Sequence, residues 1–382
     1  MAPFRLDLPA AVLFGPGTLA ELPAIARRHG RRLFLLTGAS WLERSGRLSG
    51  MLAALGDAVI EHCACPASEP TTGSVEEARR RARAFHPQVI VAVGGGSVLD
   101  TAKAISGVLG VEEPVERFLE GIGGSLEIPG PGVPWIAVPT TAGTGAEVTR
   151  NAVLRVTDRG LKRSLRSSFL LAASVIVDPE LTVTLPPEVT GTGGLDALTQ
   201  LVEAHVARKA NSFTSSLVHG AFLPLLDALE RLPENSADIG LRTAASYGAF
   251  VSGIALANAG LGAAHGFAAG LGGMYDIPHG LLCAVFLPHV LEANADVIHD
   301  RVAELAGGRN GQADPVQWLA DAVRRLLRCY GLPIDLRAFG VPASQVPEIV
   351  ERSAGSSMRG NPRDLNRDEQ QRIVRLALGS GA

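Results

Sequence analysis

Val89-Ile90-Val91-Ala92-Val93-Gly94-Gly95-Gly96-Ser97-Val98-Leu99-Asp100 carries five apolar residues into three glycines and then into Thr101-Ala102-Lys103-Ala104-Ile105, a run suited to a helix. The apolar stretch has no polar alternation, the pattern of a strand buried on both faces of a parallel sheet. Glycines let the backbone turn sharply and approach an anion closely, while a new helix presents unpaired N–H groups and the positive end of its dipole. Gly94, Gly95, Gly96 and Ser97 are therefore a candidate pyrophosphate cradle, with Asp100 one turn into the helix. A tight strand-to-helix turn without a ligand is the alternative, because the loop is not the spaced G-x-G-x-x-G fingerprint.

Outward from this stretch, residues 135–138 and 175–177 have the same unbroken apolar character, residues 33–37 also read as a strand, and residues 74–84 read as a helix. Strands alternating with helices imply a parallel sheet with helical crossovers. From about Pro186 the strand signals vanish and helix-length stretches take over, among them residues 195–207, 213–229, 241–257 and 315–330. The expected plan is an α/β nucleotide-binding domain over residues 1–185 and an all-helical domain over 186–382. The polar end from Arg359 is expected to be a loosely packed helix or tail.

A chain of 382 residues exceeds the about 100 to 200 typical of one domain. Its 46% hydrophobic and 19% charged residues, with a mean hydropathy of +0.20, describe a globular chain able to bury a large core. A net charge of −3 without a long basic run supplies no surface for neutralising nucleic-acid phosphates, so the expected partner is a small molecule. Cys63, Cys65, Cys283 and Cys329 are scattered, and one residue between the first two is too few for the usual metal or redox pair. They read as reduced thiols. The opening segment has an acidic residue and prolines where a signal peptide would be apolar, and no apolar run reaches about 18 residues. A cytoplasmic protein with no membrane partner is expected.

A second loop, Pro139-Thr140-Thr141-Ala142-Gly143-Thr144-Gly145-Ala146-Glu147-Val148-Thr149, follows the strand at 135–138. The hydroxyls of Thr140, Thr141, Thr144 and Thr149 suit ribose and phosphate oxygens without adding charge. Alone it would equally be a threonine-capped helix start. Two such loops at successive strand ends favour a ligand, because α/β sheets bind beyond the carboxyl ends of their strands.

Further on, Asp196 and Gln200 are four residues apart and share one helix face. His265 and His279 stand beside Gly266 and Gly280 in otherwise apolar surroundings. Each histidine alone would read as a hydrogen-bonded core residue. One carboxylate, one carboxamide and two imidazoles together are a candidate site for iron(II) or zinc.

In order and spacing, Gly94-Gly95-Gly96-Ser97-x-x-Asp100-x-x-Lys103, Pro139-Thr140-Thr141-x-Gly143-Thr144-Gly145-x-Glu147, Asp196-Ala197-Leu198-Thr199, His265-Gly266 and Pro278-His279-Gly280 resemble the iron-containing alcohol dehydrogenases, over about residues 5–380. The resemblance implies a Rossmann-like N-terminal domain and an all-α C-terminal domain on the dehydroquinate synthase-like plan. It also implies NAD(P)(H) in the cleft between them, a divalent metal held by an aspartate and three histidines, and a homodimer. It places Asp196, His265 and His279 on catalytic metal-ligand positions, and Asn151 and Lys162 near the cofactor.

Two departures stand out. Gln200 occupies the position of the second ligand, a histidine in most of the family, and Ala269 that of a histidine that commonly passes protons. A carboxamide keeps the site's charge but is a poorer donor than imidazole, so Gln200 is either a weak fourth ligand or a group behind the ligands. Ala269 leaves the proton to water or a cofactor ribose hydroxyl.

The implied chemistry is interconversion of an alcohol and an aldehyde or ketone by hydride transfer, with a metal polarising the substrate oxygen. Gln200 also keeps open a metal-independent reading of the maleylacetate reductase kind. A dehydroquinate synthase-like lyase would need a richer set of basic phosphate ligands, and a non-catalytic nucleotide-binding protein is the remaining class. Phe267, Met274 and Tyr275 are either pocket walls or plain core. NAD-selective members of the resembling family carry an aspartate at the end of the strand that here ends in Gly38. Without that charge a 2′-phosphate is tolerated, with the Ser40 hydroxyl as a candidate donor, so NADP(H) is expected to be accepted and modestly preferred.

Overall fold

The unbroken apolar runs become the centre of a parallel sheet. In the computed structural model, which describes residues 3–38, 41–66, 68–122 and 124–379, the strands are β1 (Val12–Phe14), β2 (Arg32–Gly38), β3 (Val59–Cys65), β4 (Val89–Gly94), β5 (Trp135–Pro139), β6 (Asn151–Val156), β7 (Leu161–Arg166) and β8 (Ser174–Val177). Ser40, expected at the cofactor, lies outside the described residues. Six strands form one sheet in the order β1-β8-β5-β4-β2-β3, every neighbouring pair parallel. Residues Val89 to Val93 of β4 are 0% exposed, and burying one large aliphatic side chain contributes about 1.5 to 3 kcal/mol. Helices α1 (Leu22–Arg27), α2 (Trp41–Arg44), α3 (Arg47–Leu55), α4 (Thr72–Phe85) and α5 (Gly96–Val108) belong to this part of the chain.

The strand order reverses between β2 and β4. From β2 the chain goes to β3 on one side, and from β4 it continues through β5 and β8 on the other. The register sets Gly38 opposite Cys65 and Gly94 opposite Pro139, so these strand ends lie along one edge. Open α/β sheets bind ligands at such a switch point.

The sheet unit comprises Asp7–Thr141 and Ala146–Thr182, and the other unit Met1–Leu6, Ala142–Gly145 and Val183–Ala382. The second is helical: α6 (Pro187–Val206), α7 (Ser212–Arg231), α8 (Ile239–Ala259), α9 (Ala263–Gly272), α10 (His279–Ala293), α11 (Ala295–Ala306), α12 (Pro315–Cys329), α13 (Val346–Arg352), α14 (Ser356–Gly360) and α15 (Arg367–Ala377). α6 is its axis, packed against α7, α8 and α10. Most of α6 from Gly194 to Val206 is buried, so it reads as apolar all round rather than as a stripe.

Two parts differ from the sequence expectation. The polar C-terminal end is not a loose tail: Asn366 and Glu369 form a capping box at the start of α15, and Ile373, Val374 and Ala377 are buried in the helical core. Its narrow apolar stripe is masked by the surrounding charges. The antiparallel hairpin β6–β7 is also absent from the sequence reading, because β6 alternates buried and partly exposed residues instead of running apolar. Among the described residues the four cysteines are free, and no single helix is long and apolar enough to cross a membrane.

α5 is tied to the hairpin by a buried ammonium. Lys103, 0% exposed, donates to Asp100 Oδ1 at 3.2 Å, Thr149 Oγ1 at 2.7 Å and the Asn151 carbonyl at 2.8 Å. Asp100 Oδ2 accepts the Val153 N–H at 3.0 Å. Burial pushes the Glu147 carboxyl up to about 7, against its own backbone hydrogen bond and the Lys103 charge. The native state thus holds a proton that the unfolded chain releases near the ordinary 4.5. Glu147's contribution to stability is fully present below that value and is lost as pH rises through about 7. Urea unfolding at stepped pH should therefore show Glu147→Gln gaining on the parent by roughly 2 to 3 kcal/mol between about pH 5 and 7.5. A difference that stays constant over this range would assign the titration to another group.

Candidate metal centre and cofactor loops

α6 presents Asp196, Gln200 and Glu203 on neighbouring turns of one side, while His265 lies in the first turn of α9 and His279 is the first residue of α10. Two glycines bring these helices together. A Cβ on Gly280 would fall 2.1 Å from the Thr192 carbonyl oxygen, so only glycine lets α10 start against α6 beside Asp196. A Cβ on Gly262 would fall 2.7 Å from Glu203 Oε1, so the turn before α9 admits that carboxylate only because it has no side chain.

One atom each from Asp196, His265, His279 and Cys283 lies within 4.8 Å of all the others. His265 Nδ1 is 2.7 Å from Glu203 Oε2, whose Oε1 accepts the Ala264 N–H at 2.7 Å. Glu203 therefore takes the imidazole proton on Nδ1 and leaves the lone pair on Nε2. That Nε2 stands 3.3 Å from Asp196 Oδ1, yet neither atom has a hydrogen-bond partner. Asp196 and His265 are only 3% and 4% exposed, so two acceptors face each other away from water, which is costly unless a cation lies between them. Asp196 Oδ2 accepts from Gln200 Nε2 at 3.1 Å, and Gln200 Oε1 accepts from the Ser252 hydroxyl at 2.6 Å. Gln200 thus turns its nitrogen to the aspartate and commits its oxygen to Ser252.

Burial works to raise the Asp196 carboxyl, but the neighbouring His265 and His279 imidazoles outweigh it and hold it below the usual carboxylate value. Burial works to lower His265 and His279, but Cys283 and Asp196 outweigh it and both imidazoles end raised. The cluster favours an added positive charge. Its oxygen, nitrogen and sulfur donors fit a divalent transition ion.

In the sheet unit, Gly95 caps α5 in an extended conformation with no side-chain cap. A Cβ on Gly94 would fall 2.4 Å from Val98 Cγ2, and one on Gly95 would press the Thr141 side chain at 3.3 Å. The Thr140 N–H donates to the Gly94 carbonyl at 3.0 Å. The fold thus gathers Gly94, Gly95, Gly96, Ser97, Thr140 and Thr141 at the ends of β4 and β5, a cradle that added side chains would fill. Gly38 ends the adjacent β2, and a Cβ there would meet only Val98 at 3.9 Å.

The other expected cofactor residues are placed differently. Asp100 and Thr149 are engaged in the brace around Lys103, which also takes the Asn151 carbonyl. Lys162 pairs with Glu69 at 2.5 Å. Thr144 belongs to the helical unit, its carbonyl 3.5 Å from Gln200 Nε2. Phe267 is core, stacked on Phe286 at 5.2 Å, and the Tyr275 hydroxyl donates to Gln345 Oε1. Glu203 and Ser252 are absent from the sequence reading, and Cys283 enters it only as a reduced thiol. Glu203 follows Asp196 by seven residues and Cys283 follows His279 by four, spacings that share a helix face and could have flagged both.

Residues 9–179 match the sequence model of iron-containing alcohol dehydrogenase, and residues 190–378 that of the C-terminal part of the Fe-containing alcohol dehydrogenase family. The chain is 31% identical to the NADPH-dependent butanol dehydrogenase of Clostridium saccharobutylicum, an alignment covering 97% of this chain and 96% of that one. This chain belongs to the iron-containing alcohol dehydrogenase family. It is an oxidoreductase, and its α/β and helical parts are those of the family fold. The crystal structure of 1,3-propanediol oxidoreductase superposes with a TM-score of 0.91 at 30% identity, covering 98% of this chain and all of that one. The sulfoacetaldehyde reductase of Bifidobacterium kashiwanohense, solved with NAD+, superposes at 0.90 with 25% identity and full coverage of both chains.

Proposed function

We propose that this dehydrogenase interconverts a small alcohol and its aldehyde or ketone with NAD(P)(H), using a divalent ion held by Asp196, His265 and His279. The unpaired, buried Asp196 Oδ1 and His265 Nε2 are the observation that carries this reading. When bound, such an ion polarises the substrate oxygen as a Lewis acid, and hydride transfer itself belongs to the nicotinamide.

The chain's own residues bind and orient. Glu203 fixes the His265 ring, and Gln200 steadies the far oxygen of Asp196 with its own carboxamide set by Ser252. Gly94 to Ser97 offer backbone N–H groups at the start of α5 to the cofactor pyrophosphate, with Thr140 and Thr141 beside them. Asp100 and Lys103 act behind this loop by anchoring α5. Ala269 supplies no titratable group, so the proton leaves through water or a ribose hydroxyl. We place the enzyme in the cytoplasm as a homodimer, the free thiols suiting a reducing compartment.

For the cofactor, Gly38 brings no charge to the end of β2, which supports acceptance of NADP(H) and a modest preference for it. The butanol dehydrogenase relative is NADPH-dependent, whereas the sulfoacetaldehyde reductase was solved with NAD+, so related chains handle both.

Two experiments test this reading. Chelator treatment should abolish turnover of an aldehyde panel with NADPH or NADH while leaving the circular dichroism spectrum intact, and activity should return with a divalent ion. Full activity of metal-free protein would instead favour the reading in which the histidines alone stabilise negative charge. Gly38→Asp, whose Cβ would lie 3.9 Å from the Val98 side chain, should lower kcat/KM with NADPH relative to NADH at least about tenfold, equivalent to ~1.4 kcal/mol of like-charge repulsion. A parent already strict for NADH would remove Gly38 as the selector.

A further inference from the structure

The position where the resemblance expects another imidazole holds Gln200, whose oxygen and nitrogen are both engaged with protein groups. We propose that Cys283 takes over this role as a thiolate ligand, making the centre a carboxylate, two imidazoles and a sulfur. The proposal rests on the metal reading above and deepens it.

Cys283 lies one turn after His279 on α10, is 0% exposed, and puts Sγ 3.6 Å from His279 Nε2. A buried free cysteine is ordinarily a small apolar filler. This one instead joins three polar side chains whose candidate donor atoms all lie within 4.8 Å of its sulfur and of one another. The unpartnered Asp196 Oδ1 and His265 Nε2 of that same cluster point independently to a cation. The sulfur supplies a fourth donor within that cluster.

The chemistry follows from the donor. On metal binding the Cys283 S–H bond gives up its proton to solvent and the sulfur lone pair enters the coordination shell. Asp196 and Cys283 then carry two negative charges against the two positive charges of the ion. A thiolate is a soft donor, so zinc or cobalt is retained over the harder manganese or magnesium, and the centre of this chain is biased toward zinc within a family named for iron.

The test uses full-length protein stripped of metal and reloaded. With one equivalent of cobalt(II), the parent should show a near-ultraviolet thiolate-to-cobalt charge-transfer band that is lost in Cys283→Ser and kept in Gln200→Ala. Zinc X-ray absorption on the unmutated protein should show a sulfur scatterer at about 2.3 Å. This second measurement remains decisive if the serine variant folds poorly. Cys283→Ser should also loosen zinc by more than the about 10- to 100-fold typical of changes behind the ligands. One bound ion per chain with only nitrogen and oxygen scatterers would overturn the role of Cys283 and leave the metal reading standing. A parent that binds no divalent ion at all would overturn both.

Discussion

Two lone pairs confront each other inside the helical unit, one on Asp196 Oδ1 and one on His265 Nε2, 3.3 Å apart and without hydrogen-bond partners. Each unsatisfied buried group costs roughly 1 to 3 kcal/mol, and a folded domain has only about 5 to 15 kcal/mol of net stability. The surroundings enforce the confrontation. Glu203 pins the imidazole from behind, Gln200 pins the carboxylate from the side, and Gly262 and Gly280 remove the side chains that would hold the helices apart. An arrangement that gives up stability at one point and is rigidly supported around it marks a binding site.

The sheet unit presents the opposite polarity. At the switch between β2 and β4, the start of α5 offers N–H groups and the positive end of a helix dipole, with glycines that leave the space open. Its own charges lie behind the loop, where Lys103, Asp100 and Thr149 satisfy one another. In the proposed function one unit receives an anion and the other a cation, the two requirements of a nicotinamide enzyme that polarises its substrate with a metal.

Most of this plan is legible in the sequence where one physical signal dominates. The apolar run into Gly94-Gly95-Gly96 announces a buried strand and a tight glycine turn into a helix, and Asp196, His265 and His279 stand out against apolar neighbours. What stayed hidden depends on tertiary contact. Which way the Gln200 carboxamide turns is set by the Asp196 carboxylate, which can only accept, and by Ser252, 52 residues away on α8. That Asp100 and Thr149 both hold Lys103 is visible only once α5 meets the hairpin. Cys283 reads as an ordinary buried thiol until α10 is docked on α6. The β6–β7 hairpin was obscured because β6 alternates buried and exposed positions, and α15 because its apolar residues are sparse among charged ones.

In the proposed function the gap between Asp196 Oδ1 and His265 Nε2 takes a cation. A crystal of metal-loaded protein, with diffraction recorded just above and below the metal's absorption edge, tests it most directly. One anomalous peak is expected within bonding distance of Asp196, the Nε2 of His265 and His279. A peak elsewhere with this cluster unliganded, or no peak in crystals grown with excess metal, would contradict it.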